Sequence, residues 1–185
     1  MPNTNQSKIV LLSATIKNFM SFHEVSIDFT QFHGVNLILG YNHDVPNLNN
    51  GSGKSALWSA ITWCLYGDTL HSINATSIAN RKYPNESVEV SVTLRPVDGK
   101  TYTIISTLDK KAATSVTIIE SGNILNKSNL RETRSFISNN ILRMTPDVFR
   151  RRVILMNDQA RNFFEMKANE KIGRASCRER VYHPV

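Results

Sequence analysis

NGSGKS, residues 50–55, joins two segments of different periodicity, and that junction limits the folds open to this chain. Before it, GVNLILG (34–40) is a short apolar run ending on Gly40, the pattern of a buried strand feeding a loop. After it, Leu57, Ala60, Ile61, Cys64 and Leu65 recur at helical spacing until Gly67 stops the run. Strand, glycine-rich turn and helix, in that order, present successive backbone N–H groups to an anion, with the helix dipole adding partial positive charge. The dipole contributes only about 0.3–2 kcal/mol. Binding a triphosphate such as ATP therefore also calls for the Lys54 ammonium and a metal ion. Gly51 and Gly53 permit dihedrals and close approach that a side chain would block, and Ser55 places a hydroxyl for Mg2+. Taken alone, NGSGKS would equally suit a flexible surface turn. The strand before it and the apolar helical face after it favour the nucleotide site.

The spacing is unusual. The pattern G-x-x-x-x-G-K-[ST] needs a glycine six places before its lysine. Leu48 stands there, and the nearest upstream glycine is Gly40, fourteen before Lys54, so Gly40 is taken as the first glycine of the nucleotide-binding loop and eight residues are surplus. Loop closure costs only about 0.6 kcal/mol per doubling of length, so the surplus can bulge outward. It is either a neutral bulge or a lid or partner contact beside the nucleotide.

Around this junction the chain alternates as strands. KIVLLSATIKNF (8–19) and EVSIDF (24–29) precede it, separated by the turn-like MSFH. SVEVSVTLRP (87–96) and KTYTIISTL (100–108) read as an antiparallel hairpin half buried on one face, and TSVTIIESGNIL (114–125) continues it. SNLRETRSFISNNIL (128–142) is a helix candidate with Ser128 as N-cap, TPDVFRR (145–151) a short helix opened by Thr-Pro, and RVILMN (152–157) a further apolar strand. At 185 residues and 41% hydrophobic content, the chain can bury one core and is too apolar to be disordered. No apolar run reaches the roughly 20 residues a membrane-spanning helix needs, and Cys64 and Cys177 give neither metal spacing nor a disulfide framework. A reducing, cytoplasmic setting without a membrane is expected.

Ile172–Val181, IGRASCRERV, back-translates to a common sequencing-adapter string, and the hydrophobic pattern ends there. We therefore expect a head lobe over 1–171 and a non-native tail over 172–185. The tail holds three arginines and one glutamate, so +2 of the chain's +7 belongs to it and +5 to the remainder. That modest excess is compatible with nucleic acid and does not establish binding. Arg150–Arg152 could touch DNA phosphates, but charges flanking a buried strand are the simpler reading.

The run IKNFMSFHEVSIDFTQFHGVNLILGYN, followed by NGSGKSALWSAITWCLYGDT, resembles the amino-terminal part of SbcC-type, SMC-like ATPases, and the likeness continues through TPDVFRRRVILMNDQARNFFEM. The resemblance implies a mixed α/β P-loop NTPase, the first lobe of an ABC/SMC-type ATPase head. By position it assigns Asn50, Gly51, Ser52, Gly53, Lys54, Ser55 and Ala56 to the phosphates. Ser55 and the Q-loop glutamine Gln159 would hold Mg2+, Lys54 and Gln159 would act in catalysis, and Asn80 and Arg81 would lie near the base or ribose. It further implies a homodimer with ATP sandwiched between heads, an SbcD-type nuclease subunit, and double-stranded DNA ends as substrate. The alternative is an SMC-type structural DNA clamp or loader with no nuclease partner; a small-molecule P-loop kinase is a third reading. Two features depart from the family. Met20 stands where an arginine is usual, leaving a phosphate contact missing or supplied by Lys17, and the enlarged loop would suit a phage-encoded relative. The signature motif, the Walker B run and the coiled coil are expected outside these 185 residues. If the surplus loop is a neutral bulge, deleting residues 43–50 leaves ATP affinity and turnover of the completed protein unchanged; a lid predicts that both change.

Overall fold

Antiparallel pairing organises the chain. The computed structural model describes residues 9–40, 53–70, 73–74, 77–125 and 127–154. Among the described residues six strands form one sheet: β1 (Val10–Phe19), β2 (Phe22–Asp28), β3 (Val88–Arg95), β4 (Tyr102–Leu108), β5 (Thr114–Glu120) and β6 (Asn123–Ile124), in the order β2-β1-β3-β4-β5-β6. Every pairing is antiparallel. The sequence dictates this arrangement directly. Val88, Val90, Val92 and Leu94 alternate with polar residues, and they lie opposite Leu108, Ser106, Ile104 and Tyr102 in the register. All eight are buried, so the period-2 pattern lays one apolar face. Each large side chain so buried contributes about 1.5–3 kcal/mol.

Helix α1 (Lys54–Tyr66) packs on that face against β1, β3 and β4. Its burial is wider than the spacing suggests: Ser59 to Tyr66 are buried without a break. The polar members find internal partners. The Thr62 hydroxyl donates to the Trp58 carbonyl at 2.8 Å, and Tyr66 donates to the Met144 carbonyl at 3.1 Å. The Cys64 sulfur lies 3.2 Å from the carbonyls of Val90 and Ile104, and burial pushes its thiol pKa up to about 12, so it packs as a small apolar residue. Trp63, buried, packs its ring 5.7 Å from that of Phe19.

Helix α2 (Leu130–Phe136) covers β5 and passes into a π-helical turn over Ile137–Ile141. The expected single helix over 128–142 is thus divided, with the Leu142 N–H reaching Ile137 O at 2.8 Å. Its N-cap is Asn129 rather than Ser128. Asn129 is extended, and its side-chain oxygen accepts from the Glu132 N–H at 2.9 Å, which an N-cap must do. Arg134 of α2 reaches back to the end of α1, 3.3 Å from the Trp63 carbonyl. A guanidinium there complements the negative end of the helix dipole, although burial lowers its pKa.

One expected strand is overturned, and so is the start of another. Residues 34–40 form no strand, and Val35, Leu37 and Leu39 are 102%, 82% and 65% exposed. An apolar run becomes a buried strand only where neighbours pair its backbone and cover both faces; among the described residues nothing pairs with it. Residues 152–157 likewise do not begin as a strand. Arg152 ends helix α3 (Pro146–Arg152) and Val153 lies in a turn, while 155–157 fall outside the described residues. Contacts divide the chain into two units at Pro146, and in the second unit Phe149 and Ile154 are buried.

Gly67 ends α1 at φ +86°, and an added Cβ would meet the Arg134 guanidinium at 2.7 Å. Gly99 has a similar φ of +76° with nothing within 4 Å. Both positions carry left-handed strain of about 1–2 kcal/mol for a side chain. G67A is therefore expected to lose more stability than G99A by denaturant melting; equal losses would show that Arg134 yields freely.

Candidate functional site

Helix α1 begins at Lys54, directly after Gly53. The first helical bond runs from the Leu57 N–H to Gly53 O at 3.1 Å, so the amides of 53–56 precede it and have no intrahelical acceptor. No acidic residue occupies the first turn. Gly53 itself is left-handed, at φ +86° and ψ +1°. Only glycine adopts that conformation without strain. Lys54 and Ala56 are half-buried and Ser55 is exposed at the same end.

The hairpin of β1 and β2 closes against this turn. A Cβ on Gly53 would stand 2.7 Å from the Ser21 oxygen and 3.2 Å from Phe22 Cζ. The hairpin tip is built from two left-handed non-glycine residues, Asn18 (φ +52°) and Met20 (φ +49°). These break the strict alternation of β1, so that Phe19 is fully buried directly after the buried Asn18. The Asn18 amide donates to the carbonyls of Tyr83 (3.1 Å) and Glu86 (2.8 Å), an arrangement that supports its unusual backbone.

The same tip holds the 77–86 loop. The Met20 N–H donates to Ile78 O at 2.7 Å, the Asn80 N–H to Asn18 O at 3.1 Å, and Phe19 bridges to Ala79. Asn80 and Arg81 therefore sit against the hairpin that also touches Gly53. Asn80 is buried, its side-chain oxygen accepting from the Lys82 N–H at 2.9 Å, whereas Arg81 is exposed. His23 stacks on Tyr83 with ring centroids 4.0 Å apart, and its Nε2 lies 3.6 Å from Glu86.

The expectation that Lys17 could replace the arginine absent at position 20 is not met. In the register Lys17 faces Glu24 on β2 and Glu89 on β3, and its Nζ lies 3.9 and 3.5 Å from their carboxylates. Strand alternation puts it on the face opposite Ile16, away from α1. Asn50, Gly51, Ser52 and Gln159 lie outside the described residues, and Gly40 is half-buried with no strand before it. The contacts that Ser21 and Phe22 make with Gly53 were not legible in the sequence, because no spacing rule links a hairpin tip to a turn thirty residues later.

The residues present fit a phosphate group: left-handed Gly53 opens α1, the amides of 53–56 have no intrahelical acceptor, and Lys54 and Ser55 follow it in the chain. A sequence profile for the family described as AAA domain matches residues 13–179. Among solved structures, the chain is similar to the recombination mediator protein RecF with ATP in the RecFOR pathway. The TM-score is 0.50 at 23% identity, over 64% of this chain and 29% of that one. A second RecF structure, described as RecF-ATPrS, matches with the same TM-score and identity over 66% and 29%. The chain thus spans less than a third of the length of these structures. No curated protein matches. Among the described residues no helix is long and apolar enough to cross a membrane.

G53A adds a Cβ to a left-handed residue and presses it on Ser21. We expect a stability loss of about 1–2 kcal/mol from the backbone strain, a further loss from the clash, and weaker nucleotide binding. Denaturant melting and nucleotide titration, with G99A as the strain-only control, check this; a variant matching G99A in both would show that the hairpin tip moves aside.

Proposed function

We propose, from the premise that this chain belongs to the AAA domain family, that it is the ATP-binding lobe of an SMC-like DNA recombination or repair ATPase. The observation that carries the reading is the left-handed Gly53 at the start of α1. There the amides of 53–56 precede the first helical bond, Lys54 and Ser55 open the helix, and the β1–β2 hairpin stands against Gly53. In this reading Gly53, Lys54, Ser55 and Ala56, with Asn50, Gly51 and Ser52, hold the phosphates. Ser55 and Gln159 hold Mg2+. Bound ATP supplies the cleavable phosphoanhydride. Lys54 neutralises phosphate charge, and the buried α1 keeps the amides fixed so that little reorganisation accompanies binding.

The finer proposal is an SbcC-type subunit. ATP would clamp two heads around double-stranded DNA and regulate an SbcD-type nuclease, while catalytic residues absent from this chain would come from a second lobe and a second subunit. The resemblance of NFMSF and the neighbouring strands supports it. The alternative is a head that engages DNA without a nuclease. The shared fold with RecF, whose structure is described as that of a recombination mediator, agrees with either. The kinase reading loses ground. A two-stranded hairpin precedes the turn, where a kinase usually opens with a single strand, and the four strands that follow, β3 to β6, join that hairpin in one antiparallel sheet.

Fluorescent ATP-analogue titration with Mg2+ tests the core of this. The chain is expected to bind weakly, K54A to bind at least about tenfold more weakly through loss of a charge-assisted contact, and the purified chain to show no turnover. Binding unchanged in K54A would overturn the site, and robust hydrolysis would overturn the need for further subunits.

A further inference from the structure

We infer that the open groove between strand β5 and helix α2 seats the phosphate backbone of a nucleic acid, held by Lys110, Lys111, Lys127 and Arg131. This rests on the DNA-acting reading above, not on the nucleotide turn, and gives that reading a contact surface. Three observations carry it. First, the groove has a volume of about 210 Å³, and Thr114, Ser115, Lys127, Asn129 and Thr133 line it, with no carboxylate in its lining. Second, more cations stand at its rims. Lys110 and Lys111 lie in the turn that leads into Thr114, and Arg131 follows Leu130 on α2. All four cations are exposed, and none has a carboxylate within ion-pair distance among the described residues. Third, Asp109 and Glu132 offset only two of the four charges. Asp109 is moreover engaged in its own turn, its Oδ1 accepting from the Lys111 and Ala113 N–H groups at 2.8 Å each.

Like charges gathered without counterions repel one another, and an anion with spaced charges relieves that repulsion. Lysine, arginine, hydroxyl and side-chain amide donors are also the set that phosphate oxygens of nucleic acids take. Lys127 is held in place without being neutralised, its Nζ 4.3 Å from the centroid of the Phe136 ring. Cations on both rims of an open groove suit a strand passing through it. The surface is also distinct from the Gly53 turn. Lys17, Glu89, Thr107 and Ser115 form one cross-strand row, so the β4–β5 turn and the β1–β2 tip lie at the same end of the sheet. Strand β5 stands three strand spacings from β1, about 14 Å.

The test titrates a fluorescent DNA duplex, at several salt concentrations, with wild type, K110Q/K111Q, K127Q/R131Q and R95Q/K100Q, with melting temperature measured on each. Arg95 and Lys100 lie at the opposite end of the sheet, so the third variant removes the same charge elsewhere. The first two variants are expected to bind about tenfold more weakly, with a salt slope smaller by about 2, and R95Q/K100Q to bind like wild type. Equal losses in all three would overturn the inference by showing that total charge alone attracts DNA. Wild type without measurable DNA affinity at low salt would overturn it too. A polyglutamate peptide that binds more tightly than DNA, and loses affinity in the same variants, would replace nucleic acid with an acidic protein segment. Should either double variant fail to fold, K111Q or R131Q takes its place, with about half the change in slope. K54A, measured alongside, is expected to keep its DNA affinity. K54A binding the ATP analogue like wild type would sink the nucleotide reading and leave this surface standing.

Discussion

Helix α1 is held on the buried face of the sheet by eight consecutive buried residues, and every feature of the candidate site takes its position from that packing. A helix with one apolar stripe could roll on a sheet. One that buries Ser59 through Tyr66 has little freedom to do so without opening voids, and close-packed interiors resist even single-methylene changes. The amides at its first turn are therefore fixed in space before any ligand arrives. The cost is that Thr62, Cys64 and Tyr66 carry polar atoms into the core, and each is placed against a carbonyl.

The two ends of α1 are finished by the same device. Gly53 and Gly67 are both left-handed at φ +86°, and each leaves space that a neighbouring side chain occupies: Ser21 at the first, Arg134 at the second. At the C-terminal end the occupant is a cation, which suits the negative pole of the helix. At the N-terminal end it is a hydroxyl, which leaves the positive pole open to an anion. The asymmetry follows from charge alone and gives the helix a direction as well as a place.

Much of the sheet was legible because period-2 alternation and turn chemistry are local. The hairpin over Val88–Leu108 and the strand after it appear where the alternation of Val88, Val90, Val92 and Leu94 put them. The Gly67 stop and the Thr-Pro start of α3 were equally local signals. The failures share one cause. GVNLILG advertises a capacity for burial, but a strand covered on both faces needs partners that its own residues do not specify. Among the described residues it stays exposed and unpaired. Lys17 was one of two readings of the phosphate contact absent at Met20, yet cross-strand register, a tertiary property, gave it two carboxylates on the other face.

By itself the sequence determined that a glycine-rich turn opens a buried helix carrying Lys54 and Ser55, and that antiparallel strands surround it. Both follow from periodicity and from the few residues able to adopt a left-handed turn. Only the tertiary structure decided what meets that turn: the hairpin tip with Ser21 and Phe22 on one side, and the loop of Asn80 and Arg81 tied to the same tip. These contacts span more than thirty residues. They arise from left-handed backbone at Asn18 and Met20 and from hydrogen bonds between distant loops, neither of which is written in any local pattern of the chain.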